Sequence, residues 1–236
     1  MPQPFIRPYD PSRDLDACIH IFYATLDPAV DFEPARTIGS FLWCRAYLLL
    51  SPETCFVLDD GTIEGRAVGY IIGTADTNVF ATKWKNSFLP NLGLDPEDIS
   101  RENGKEPASS SAELTAKLSE EEKETVRSLQ KTLQDAECSM IQPFPALLSQ
   151  FPAHLHIDVL PAYQNQGWGP KLMGTFLEEV KRLGARGVHL GMVRGNHRAK
   201  KFYERLGWRL CEEVLDRGKS GEVGRKDEAI CLLRAL

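Results

Sequence analysis

The run LDACIHIFYATL, residues 15–26, places Leu15, Ile19, Phe22 and Leu26 at three- and four-residue steps, the spacing of one helical face. Ser12 precedes it as a candidate cap. Upstream, PFIRPYD carries prolines at its margins and predicts a short edge strand. A second helix is predicted from Pro34 to about Leu50, joined to the first by the acidic loop LDPAVDFEPA. TCFVLDD and AVGYIIGTAD are β-rich runs around DGTIEGR, the pattern of a hairpin. From roughly residue 78 to 152 the chain turns polar and charged. RENGKEPASSSAE has few apolar residues, so the middle of this segment, about 100–118, is expected to be mobile. Ser119 followed by Glu122 forms a capping-box pattern. Val126, Leu129 and Leu133 give a thin apolar stripe behind it, which predicts a surface helix inside a long insertion. PFPALLSQF predicts a further short helix.

Beyond residue 153 the punctuation is dense. HLHIDVLP and VHLGMV read as strands, with the helix GPKLMGTFLEEVKRLG between them. Pro170 stands near that helix's first turn and Gly184 near its end. Asn196 to Leu206 predicts another helix, and WRLCEEVLD and EAICLLRAL are strands around the polar RGKSGEVGRKD. The second half therefore reads β-α-β-α-β-β. The whole predicts an α/β (α+β) chain with a mixed, mostly antiparallel central sheet and helices on both faces. We expect one domain over 1–236 with a long helical or disordered insertion at about 78–152.

Composition narrows the classes. Hydrophobic content of 42% and charged content of 26% are ordinary for a globular chain. No apolar run reaches the length of a membrane span, and MPQPFIRPYDPSRD lacks a signal-peptide pattern. Six cysteines at 18, 44, 55, 138, 211 and 231 show neither CxxC nor Cys/His metal spacing, so reduced thiols, a cytoplasmic location with the nucleus as the alternative, and no metal are expected. The net charge of −5 argues against direct nucleic-acid binding. That charge is concentrated, because residues 94–139 hold 12 Asp and Glu against 6 Lys and Arg.

The candidate chemistry starts at AYQNQGWGPKL, residues 162–172. Gly167 and Gly169 lack Cβ, so backbone could approach a ligand closely there. The loop opens a helix, whose free N–H groups and dipole attract anions. It is neither a P-loop, since GxxxxGK[ST] is absent, nor the Rossmann pattern, since position 172 is Leu. A plain strand-to-helix turn would explain the same residues. Further on, Asn196, Ala199 and Tyr203 share one helical face, while Phe202 and Leu206 share another suited to a core.

Strand, Q-x-x-G-x-G, helix, strand, then N-x-x-A-x-x-F-Y-x-x-x-G-W resembles the GNAT acetyltransferase superfamily. The matching residues are Gln164, Gly167, Gly169, Asn196, Ala199, Phe202, Tyr203, Gly207 and Trp208. The resemblance is strong over about 154–214. A narrower likeness, carried by PAHLHIDVLP and the glycine loop, is to stand-alone relatives of the acetyltransferase-like domain at the C-terminus of O-GlcNAcases. The resemblance implies acetyl transfer from acetyl-coenzyme A to an amine. It implies that backbone N–H groups from Gln164 through Asn165, Gln166, Gly167 and Trp168 to Gly169 hold the pyrophosphate. It implies that Val159 and its neighbours pair with the pantetheine arm through a splayed strand edge, that Asn196 and Ala199 lie along that arm, and that Tyr203 protonates the departing thiolate. A coenzyme A-binding module without turnover is the alternative.

The base stays open between His156 and Asp158. His154, His156 and Asp158 alternate and share a face of a regular strand, although strands of this family often bulge there. On the next strand Gly191 occupies a position where several relatives carry Glu or His, which points back to His156 or Asp158. The acceptor also stays open. Asp27, Asp31 and Glu33 crowd the loop between the first two helices, which would favour a cationic amine, or these carboxylates face water and cap helices.

Overall fold

The computed structural model describes residues 3–92, 117–134, 144–215 and 229–236. The segment expected to be mobile, about 100–118, falls almost wholly outside these residues, as do Cys138 and the loop RGKSGEVGRKD. The described strands form one seven-stranded sheet in the order β1-β2-β3-β4-β5-β7-β6. They are β1 (Phe5–Pro8), β2 (Phe56–Asp59), β3 (Ala67–Thr74), β4 (Ala153–Val159), β5 (Gly187–Val193), β6 (Arg209–Leu215) and β7 (Ala229–Ala235). All neighbours pair antiparallel except β4 and β5. PFIRPYD supplies the edge strand, where its prolines cost no ladder bonds in the sheet interior.

One face of the sheet carries the N-terminal helices. Helix α1 (Leu15–Thr25) starts later than a Ser12 cap would place it, because Ser12 turns its hydroxyl to Asp10 Oδ1 (2.6 Å). Residues 35–50 form a continuous helical run: α2 (Ala35–Ser40), a π turn (Phe41–Arg45) and α3 (Ala46–Leu50). Helices α4 (Thr77–Lys83) and α5 (Leu89–Asn91) bracket a second π turn (Trp84–Phe88). Phe80, Trp84 and Phe88 step by one helical turn and are buried in the same core as Tyr47 and Tyr70. Residues 77–91 are therefore packed helix, not the polar excursion that their lysines suggest. Helix α6 (Glu120–Gln134) begins with the expected reciprocal cap, Glu122 N–H to Ser119 Oγ (3.2 Å) and Ser119 N–H to Glu122 Oε2 (2.8 Å). Its Val126, Leu129 and Leu133 enter this core too, and Trp84 Nε1 donates to Leu133 O (3.0 Å). The short helix α7 (Pro145–Gln150) then leads into β4.

The other face is covered by α8 (Trp168–Arg182), whose Leu172, Met173, Phe176, Leu177 and Val180 meet Ile71, Leu155, Val188 and Leu190 of the sheet. Helix α9 (His197–Arg205) follows β5. The strand period of two thus sorts Tyr70 and Ile72 to one core and Ile71 to the other. No described helix is long and apolar enough to cross a membrane.

One irregularity positions the site. β4 and β5 run parallel and pair only at Ala153–Val188 and His154–His189. Beyond that point β4 continues against β3 and β5 against β7, so the two strands part.

Candidate functional site

The parting of β4 and β5 leaves ladder groups without a neighbouring strand. Leu160 N–H donates to Val68 O (2.9 Å), and the β3–β4 register runs without a bulge from Gly69–Val159 to Thr74–His154. Even-numbered residues of β4 therefore turn N–H and C=O toward β3. Ile157 and Val159 turn theirs toward the gap. Val159 O confirms the direction, since it accepts from Gln164 Nε2 (2.7 Å) in the next loop. With no bulge, His154, His156 and Asp158 keep their common face.

At the end of β4 a 3-10 turn (Pro161–Tyr163) leads into the glycine loop. Gln164 N–H goes to Pro161 O (3.2 Å), so Gln164 fixes the strand-to-loop junction with both backbone and side chain. The N–H groups of Asn165, Gln166 and Gly167 donate to no described backbone group. Trp168 and Gly169 open α8, where no intrahelical partner exists and no side chain caps the helix. Gly167 has φ +81°, a left-handed conformation that favours glycine, and a Cβ there would meet nothing within 4 Å. Gly169 is small for another reason: its Cβ would stand 3.1 Å from the Phe202 ring. The side chains of the loop point back to protein. Gln166 Nε2 donates to Ala162 O (2.8 Å), Lys171 Nζ lies 4.2 Å over the Trp168 ring, and Asn165, at φ +59°, accepts from Arg198 Nη2 (3.0 Å). Successive outward N–H groups beside a guanidinium suit a pyrophosphate, and these residues fit that group.

A cavity of about 1240 Å³ extends from the gap toward α1 and α6. Its walls bring together His156 and Asp158 from β4, Gly191 from β5, and Asn196, Ala199 and Tyr203 from α9 and its cap. Val159 at the end of β4 and the glycine loop lie outside these walls. Asn196 Oδ1 caps α9 by accepting from Ala199 N–H (2.9 Å), which leaves its amide N–H₂ for other partners. The half-buried Tyr203 packs edge-on to Phe202 and Trp208, with centroids 5.2 and 5.7 Å away.

Asp158 accepts from Tyr70 Oη (2.6 Å), and desolvation raises its carboxyl above the ordinary value. Desolvation moves His156 the other way, down to about 4, so its ring is neutral at pH 7. His156 Nε2 is 3.3 Å from Tyr47 Oη. His154 is not a cavity group. It is buried between Thr77 and Tyr47, and held neutral by its burial.

The far end of the cavity is acidic. Asp27, Glu121, Glu122 and Glu124 line it, with no Lys or Arg among the described lining residues, and Glu124 also meets Arg127 at 2.9 Å. Asp31 and Glu33 do not belong to this wall. They face Arg36 at 3.6 and 3.5 Å, so the acidity of the first loop reaches the cavity through Asp27, and α6 supplies the rest. Sequence reasoning missed the glutamates of α6, Arg198, Tyr70 and Tyr47. Arg198 could have been suspected, because it stands one helix start away from the loop it ties. Tyr47 gives no local signal, since the two histidines its hydroxyl meets lie more than 100 residues away. The five described cysteines are buried, and burial pushes the Cys55 thiol up to about 12.

A family model described as Acetyltransferase (GNAT) family matches residues 136–208. Protein O-GlcNAcase of Mus musculus is 27% identical over 212 residues, and that of Rattus norvegicus 26% over 211. Each alignment covers 89% of this chain and 20% of the relative, so the chain spans about a fifth of the length of these curated relatives. The crystal structure of SsHAT is 30% identical with a TM-score of 0.67, covering 99% of this chain and 98% of that one. Polyamine N acetyltransferase of Drosophila melanogaster, 16% identical with a TM-score of 0.55, covers 99% of this chain and is covered in full. It shares the fold.

Proposed function

The chain belongs to the acetyltransferase (GNAT) family and is an acyltransferase, and on that premise we propose that it moves an acetyl group from acetyl-CoA to a primary amine held in the cavity. One observation carries this reading: Asp158, His156, Asn196, Ala199 and Tyr203 meet in one cavity at the point where β4 and β5 part. Acetyl-CoA bound there supplies the acetyl group as an activated thioester.

The outward N–H groups of residues 165–169 hold the pyrophosphate, with Arg198 adding charge. The gap-facing N–H groups of Ile157 and Val159 hold the pantetheine arm and polarise a carbonyl. Ala199 leaves room beside them, and the Asn196 amide donates into the same space. An ammonium with an ordinary pKa of about 10.4 costs roughly 4.6 kcal/mol to neutralise at pH 7. Asp158 is the base for that proton. Its raised pKa makes it a better acceptor than an ordinary carboxylate, and Tyr70 fixes its orientation. Tyr203 holds a proton at Oη for the departing sulfur. The carboxylates at the far end favour a cationic amine over an anionic acceptor such as a sugar phosphate.

The test is acetyl-CoA consumption across amines, amino acids, aminosugars and lysine peptides, beside calorimetry with CoA. Turnover with a cationic amine, reduced roughly a hundredfold in Tyr203→Phe at unchanged CoA affinity, is the expected result. CoA binding with no turnover on any acceptor would instead make the chain a coenzyme-binding module.

A further inference from the structure

Beneath the cavity, four side chains form a hydrogen-bonded line whose direction is set at one end. Thr77 Oγ1 lies 2.6 Å from Pro152 O. A carbonyl cannot donate, so the Thr77 hydroxyl proton points at Pro152. Thr77 then has only lone pairs to offer His154 Nδ1 at 2.7 Å, so that nitrogen carries the proton. The neutral His154 ring is left with a bare Nε2, 3.0 Å from Tyr47 Oη, which must donate to it. Tyr47 has one hydroxyl proton. Toward His156 Nε2, at 3.3 Å, it can only accept, so His156 carries its proton on Nε2. Thr77 and Tyr47 are fully buried and His154 nearly so, which keeps water from reversing any link.

We propose that Thr77, His154 and Tyr47 are positioning residues that fix His156 as its Nε2–H tautomer and so present Nδ1 to the cavity as a hydrogen-bond acceptor for the N–H of the incoming amine. His156 lines the cavity, and Nδ1 has no hydrogen-bond partner among the described residues. A ring held in this state accepts and cannot donate at Nδ1. It therefore orients an amine, which brings N–H groups, beside the carboxylate of Asp158 that takes the proton. The neutrality that burial enforces, with His156 down to about 4, keeps this true across the neutral range. The inference rests on the acceptor-site reading of the cavity.

The imidazole ¹⁵N shifts of the full chain report each tautomer directly, without substrate. Wild type is expected to show Nδ1–H at His154 and Nε2–H at His156. Thr77→Val removes the anchor from a site outside the cavity. The line is then expected to reverse, because a bare buried nitrogen costs less than an unpaired N–H, and His156 shifts to Nδ1–H. Thr77→Ser restores the wild-type pattern. Tyr47→Phe cuts the line and leaves His156 in both tautomers. Thr77→Val should also raise the KM for the amine roughly tenfold, the worth of about one hydrogen bond, at unchanged CoA affinity. Nδ1–H at His156 in wild type, or Nε2–H retained in both Thr77→Val and Tyr47→Phe, would overturn the proposal. So would a tautomer shift that leaves KM unmoved. A protein that shows the shifts yet acetylates no amine overturns the acetyl-transfer reading and leaves the proton order standing.

Discussion

Asp158 separates stability from activity at the level of a single side chain. Its carboxyl is raised because the charged form is desolvated, and the Tyr70 hydroxyl offsets only part of that cost. A carboxylate raised in the folded state contributes stability that is present at low pH and lost as pH rises through its folded pKa. At neutral pH the protein therefore carries a strained charge where the amine is to be deprotonated. Asp158→Asn keeps an oxygen to accept from Tyr70 and removes the charge. It should abolish acetyl transfer and raise the thermal midpoint at pH 7.5, the trade expected of a strained functional group. As pH falls and the wild-type carboxyl becomes neutral, the difference in midpoint should shrink. Scanning calorimetry of both proteins from pH 7.5 to 5 checks this. A variant less stable than wild type at neutral pH would mean that Asp158 serves the fold rather than the reaction.

Helix α6 shows what an element contributes beyond its residues. Its buried edge, Val126, Leu129 and Leu133, anchors it to the N-terminal core, and its other side turns Glu121 and Glu124 into the cavity. Leu129 is fully buried, so Leu129→Ala leaves a void and should cost about 2–5 kcal/mol in urea unfolding. It should also raise the KM for a cationic acceptor while leaving CoA affinity unchanged, because α6 lines the cavity and the glycine loop does not. Equal losses of both affinities would show that α6 supports the whole fold instead of the acceptor end. The sequence made the capping box and apolar stripe of α6 visible, but three apolar residues cannot say what they face. Residues 77–91 hid for a related reason: lysines and asparagine between Phe80, Trp84 and Phe88 lower the mean hydropathy while the stripe stays apolar. The β-α-β-α-β-β half was legible because its signals are local, in Pro170, Gly184 and the alternation of HLHIDV. The shared face of Asn196, Ala199 and Tyr203 was legible too, since it needs only helical periodicity. Tyr47 was not, because its partners are set by tertiary packing alone.

Across the whole molecule, three histidines converge where β4 and β5 begin to part, and all three are held neutral. His154 and His189 are paired across the strands with ring centroids 5.3 Å apart, and His156 follows on β4. Burial lowers His156 and His189 to about 4 and His154 well below its ordinary 6.5. A histidine lowered in the folded state binds its proton more readily when unfolded. Its contribution to stability is present above pH 6.5 and is lost as pH falls toward 4. Asp158 acts in the opposite sense, but one carboxyl stands against three rings, so acid should destabilise the fold in this window. Calorimetric midpoints should hold steady from pH 8 to 7 and fall progressively between 6.5 and 4.5, before ordinary carboxylates titrate. His189 isolates the cause, because its Nδ1 donates to Phe151 O (2.7 Å) and its Nε2 is buried without a described partner. His189→Asn keeps a donor near Nδ1 and removes the titrating ring, so its midpoint should fall less steeply with acid than that of wild type. Parallel slopes for the two proteins would place the acid sensitivity elsewhere and leave the neutral histidine cluster as simple packing.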